Sequence, residues 1–132
     1  MRLGRLFRVG LAGASFAFLT VVPANSQPGV IPADRICAHT GAPFVGPCLA
    51  IQGELVAGGD NIQVRIHPKG RKRILGYAGG ALRCSLPPGL EEILETAPAI
   101  DADATIRPVT VSKPGVMQFV CIASVKNMKI KR

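Results

Sequence analysis

Four cysteines, Cys37, Cys48, Cys84 and Cys121, limit the shapes open to this chain more than anything else in it. An even count in a short exported stretch reads as a disulfide framework. Four cysteines allow three pairings. The favoured reading is a short clip, Cys37–Cys48, and a longer tie, Cys84–Cys121, from the middle of the chain to a late segment. The first closes about 12 residues and the second about 38, and on the chain-entropy estimate each contributes about 3–4 kcal/mol. The other use of these thiols, a metal site of Cys37, His39 and Cys48, fits no zinc-ligand spacing well. His39 reads as a loop histidine.

Disulfides need an oxidising compartment, and the N-terminus points to one. Arg2, Arg5 and Arg8 precede an uncharged apolar run from Val9 to Val22. Ala24 and Ser26 then supply the small residues of a cleavage site. This is the three-part layout of a secretory signal, assigned to residues 1–26. A run of about 14 apolar residues is too short for a bilayer core, which needs about 20. No cysteine near the cut marks a lipoprotein, and no Arg-Arg pair marks the twin-arginine route. The expected product is periplasmic or secreted, with no transmembrane segment.

Cleavage would leave 106 of the 132 residues, enough for one modest core. The remainder carries 13 Lys and Arg against 8 Asp and Glu. That moderate basic excess suggests an anionic envelope component or an acidic polymer as partner. Nucleic acid is disfavoured, because binding single strands without aromatic platforms is weak and only Phe44, Tyr77 and Phe119 remain after the leader.

Residues 27–47, with Pro28, Pro32, Pro43 and Pro47, read as an extended lead-in. A β domain is expected over 48–126, and a fraying basic tail over 127–132. Leu49, Ile51 and Leu55 alternate with Gln52 and Glu54. Ile62, Val64 and Ile66 alternate with Asn61, Gln63, Arg65 and His67. Ala57 to Asn61 is a turn, so these two runs form a hairpin. Pro68 to Arg71 turns into a third strand, Lys72 to Tyr77. Leu90, Ile93 and Leu94 then make one apolar stripe of a short helix started by Pro87 and Pro88, with Glu91 and Glu92 in its first turn. Asp103 to Val111, interrupted by Pro108, reads as an edge strand or a bulged one. Met117 to Val125 is apolar on both faces and reads as a buried central strand.

Three strands, a helix and two strands is the element order of the five-stranded OB-fold barrel. An open α+β sheet is the alternative. Within it, Gly58-Gly59-Asp60-Asn61-Ile62-Gln63-Val64-Arg65 and Arg73-Ile74-Leu75-Gly76-Tyr77-Ala78-Gly79-Gly80-Ala81 resemble the first strands of thermonuclease-like (staphylococcal-nuclease-type) domains. Asp60 and Arg73 match that pattern. Ala78 and Ala81 stand where the resemblance implies a metal-binding aspartate and a catalytic glutamate, and alanine can neither hold a hard cation nor activate water. Cys48 through Gly53, Val64-Arg65-Ile66, Arg73-Ile74-Leu75-Gly76 and Pro114 through Cys121 also resemble small exported OB-fold-like proteins of an uncharacterised family from Gram-negative bacteria. That likeness implies periplasmic residence. It also implies a cysteine in the penultimate strand, where this chain has Arg107.

Lys69, Arg71, Lys72 and Arg73 form the densest charge, with Arg65 on the wet face of the preceding strand. With Tyr77 as the one stacking residue, they are the candidate anion site. A solvated turn is the plainer reading. No base stands at motif spacing from Ser85, and Glu91, Glu92 and Glu95 read as a solvated helix face, so no catalytic residue, metal or cofactor is assigned. The expectation is a non-catalytic binding or structural protein of the envelope. The alternative is a divergent thermonuclease-like phosphodiesterase with ligands from Asp60, Asp101 or Asp103.

Overall fold

The computed structural model describes residues 29–59 and 61–131. The leader assigned to residues 1–26, and Asp60, lie outside them. A 3-10 turn, Ala33–Arg35, precedes β1 (Leu49–Ala57), β2 (Val64–Pro68) and β3 (Leu75–Tyr77). Then come a single turn of helix, α1 (Gly79–Leu82), and α2 (Leu90–Thr96). β4 (Ala99–Pro108) and β5 (Gln118–Lys131) complete the order. The five strands pair in a closed ring, β1-β2-β3-β5-β4, in which only the β3–β5 contact is parallel. No helix among the described residues is long and apolar enough to cross a membrane.

The ring follows from alternation. Val64, Ile66 and Pro68 are buried in β2, while Arg65 and His67 are only half-buried. Ile100, Ala102, Ala104 and Ile106 do the same for β4. These rows meet Leu55, Leu75, Val120 and Ile122 in one core, and α2 adds Leu90 and Leu94. A strand buried on one face exposes the other, so every second residue faces solvent. Gly53 sits where β1 is flanked by both β2 and β4. A Cβ there would lie 2.7 Å from the His67 carbonyl oxygen, so the close crossing admits only hydrogen.

Both disulfides have the favoured pairing, Cys37–Cys48 and Cys84–Cys121, and no cysteine among the described residues is free. This is the cysteine chemistry of an oxidising environment.

Several boundaries differ from the sequence reading. β4 is no edge strand, because β1 and β5 flank it. It does carry register shifts, between Asp101 and Asp103 and between Thr105 and Ile106. β5 continues to Lys131, so residues 127–131 of the segment read as a basic tail are strand, held by pairing with Ala99 to Asp101. β3 is only three residues long, since Lys72 and Arg73 belong to the preceding loop. Leu49 is 46% exposed although Leu55 is fully buried. The reason is cover: β1 has β4 alone beside it until Gly53, where β2 joins.

The lead-in is part of the core. Ile36 is fully buried and Ala33 nearly so. Ile31 exchanges backbone hydrogen bonds with the Arg83–Ser85 segment: its N–H donates to Arg83 at 2.9 Å and its carbonyl accepts from Ser85 at 3.0 Å. Arg107 on β4 fastens the rest. Its Nε donates to the Gly46 carbonyl at 2.8 Å, and one terminal nitrogen donates to Ile36 at 2.7 Å and His39 at 2.6 Å. The guanidinium lies 4.4 Å from the Phe44 ring centroid, a cation–π contact.

Candidate functional site

The outward-facing residues of β2, β1, β4 and β5 line a groove of about 560 Å³. Register brings them together: His67 lies opposite Glu54, Glu54 opposite Asp101, and Asp101 opposite Lys129. Gln52, Lys69, Asp103, Asn127 and Lys131 complete the walls. Lys131 Nζ is 2.9 Å from Glu54 and 3.9 Å from Asp101. Its hydrogen bond holds the Glu54 carboxyl below the ordinary value, and Glu54 in turn raises the Lys131 ammonium. Asn127 Nδ2 donates to Asp103 at 2.7 Å. The groove is thus a band of mixed charge whose carboxylates have partners from β5.

The basic cluster expected from the sequence is split by the fold. Lys69 reaches the groove, and its N–H donates to the Gln52 carbonyl at 2.8 Å. Arg71 and Lys72 stand exposed on the β2–β3 loop. Arg73 turns away and donates to the Ser112 hydroxyl, on the β4–β5 connection. Arg65 is half-buried between Val56 and Gly76, and its Nε is buried without a partner among the described residues.

Tyr77 is a correction. It is 2% exposed and its hydroxyl donates to the Cys84 carbonyl at 2.5 Å. Burial, with a smaller contribution from the charge of Glu91, pushes its phenol up to about 12. Its ring is committed to the core beside the second disulfide and offers no stacking face.

His39 lies in the lead-in, its Nε2 donating to the Ala42 carbonyl at 2.8 Å and its ring meeting Phe44 edge-on. Cys37 and Cys48 are consumed in their disulfide. Among the described residues, no group of three or more His, Cys, Asp or Glu is arranged to hold a metal ion. Asp101 and Asp103, the ligands of the phosphodiesterase reading, face Lys131 and Asn127 instead. Ser85 Oγ is buried without a hydrogen-bond partner among the described residues.

Two residues with structural consequence had no clear signal in the sequence. Arg107 follows an Ala-rich alternation, and only its charge inside a strand hints at a clamp. Lys131 stands in a basic run whose partners lie far away in the chain. Against family models, curated proteins and solved structures alike, the chain gives no match.

Proposed function

We propose that this chain is an exported, non-catalytic binding module whose β2–β3 loop engages an anionic partner of the cell envelope. One observation carries the reading: Arg71 and Lys72 stand exposed on one short loop that Lys69 begins, and none of the three makes an ion pair among the described residues. Unpaired cations concentrated on a loop attract polyanions and lose that attraction in salt. We also read the ring as an OB-type barrel. The strand order, the parallel β3–β5 pair and the helix between β3 and β4 support this. In that architecture the strand 2–3 side is a common ligand face.

The test is salt-gradient elution from immobilised heparin, and co-sedimentation with lipopolysaccharide vesicles. The disulfide-bonded protein should be retained and should elute at lower salt once Lys69→Gln, Arg71→Gln and Lys72→Gln are combined. Unchanged elution of a folded triple variant overturns the loop as the site. The phosphodiesterase reading requires Asp101 and Asp103 to exchange their present partners for a hard cation, and a calcium-dependent rise in melting temperature is its separate test.

A further inference from the structure

β5 has two unequal edges. One pairs with β4 from Val120 to Lys131, while on the other only Gln118 and Phe119 pair with β3. Beyond Phe119, no described strand borders that second edge. Residues 126–131 are exposed throughout. A strand in this position presents backbone N–H and C=O groups to whatever extended segment can reach them.

The side chains along this edge are ordered. Asp101 and Asp103 share a face of β4, and their partners on β5 are Lys129 and Lys126. A bulge at Asn127, with φ 55, absorbs the extra residue. Lys129 and Lys131 therefore line the groove, and Lys126 lines the adjoining hollow beside Asp103 and Gln52, which border both. Met128 and Ile130 alternate with them, 44% and 55% exposed, and Ile130 lies opposite the buried Ile100. Lys131 is engaged with Glu54 and Asp101, whereas Lys126 and Lys129 make no ion pair among the described residues.

We propose that the Lys126–Lys131 edge captures an extended protein segment of alternating acidic and apolar residues by strand addition. Backbone pairing adds one strand beside β5. Acidic side chains of the incoming segment fall beside Lys126 and Lys129, and apolar ones beside Met128 and Ile130, as cross-strand pairs. Charge selects this occupant over a second copy of the chain, whose own edge would set lysines against lysines. The inference is independent of the β2–β3 loop, which lies on a different element.

The test uses the disulfide-bonded protein and a fluorescent octapeptide of alternating Glu and Val. Anisotropy should show saturable binding, and amide hydrogen exchange at residues 127–131 should slow. Lys126→Glu with Lys129→Glu should weaken binding about tenfold, two cross-strand attractions having become repulsions. A peptide of the same composition with its glutamates clustered at one end should bind far less. Three results overturn the proposal: equal binding of the clustered peptide, unchanged exchange at 127–131 in the bound state, or a dimer in sedimentation that already protects those amides.

Discussion

Arg107 near the end of β4 and Lys131 near the end of β5 each tie distant parts of the chain together, and they do so by different physics. Arg107 is half-buried, donates to three neutral carbonyls and covers the Phe44 ring. Removing it strands those carbonyls where water reaches poorly, and a stranded buried acceptor costs its full desolvation. Lys131 is exposed and meets two carboxylates that water would solvate well without it. Its loss returns charges to solvent at small cost. One cation therefore builds the fold, by docking the lead-in, while the other decorates a groove and stays responsive to salt and pH.

That contrast can be broken or sharpened in order of expected effect. The covalent limit is the Cys84–Cys121 tie. Replacing both cysteines with alanine should lower stability by about 4 kcal/mol, read as a fall in the urea midpoint. Next comes Arg107→Met, which keeps bulk but loses the carbonyl bonds. A loss of about 2–4 kcal/mol in urea unfolding is expected, with Arg107→Lys intermediate. A change as small as that at Lys131 would end the distinction drawn here.

Tyr77→Phe tests the buried hydroxyl on Cys84 and should cost about 1 kcal/mol. The chain has a single tyrosine, so ultraviolet titration reports it alone. Its raised value means the unfolded chain releases the proton near 10 and the folded one near 12. Stability from this group is full below pH 10 and is lost as pH rises toward 12, and the Phe variant should lack that alkaline limb. Last is Glu54→Gln. Lys131 depresses the Glu54 carboxyl below its ordinary 4.5, so its contribution is present above that value and is lost as pH falls through the lowered one. The variant should flatten the acid limb slightly, and added salt should erase even that difference.

Legibility followed the range of the interactions. The Val64–Ile66 alternation and the Leu90, Leu94 stripe were readable because each repeats within a few residues and needs no partner to define it. β4 was half missed for a physical reason. Its buried row includes Ala102 and Ala104, whose side chains are too small to raise a hydrophobic signal, and its outer row includes two aspartates, which disfavour strands. Flanking by β1 and β5 overrides that propensity. The same pairing turns the lysine-rich end of β5 into strand, where charge density alone suggested fraying. The basic cluster was visible as composition, yet its separation into groove, loop and Ser112 contact was not, because a side chain's direction depends on where its strand stops. The direction of Tyr77 is hidden on the same ground: β3 places it inward between β2 and the Cys84–Cys121 tie.

Cysteine number, the arginine-led apolar run at the N-terminus and the every-second-residue rows are properties of neighbours along the chain, so the sequence alone determined them, and with them a small, cross-linked, mostly β domain. Ring closure decided the rest. Arg107 bonds to residues 61 to 71 positions away, and Glu54 meets Lys131 across β4. Such contacts depend on every strand register at once, and no local pattern encodes a register that only the assembled sheet can hold.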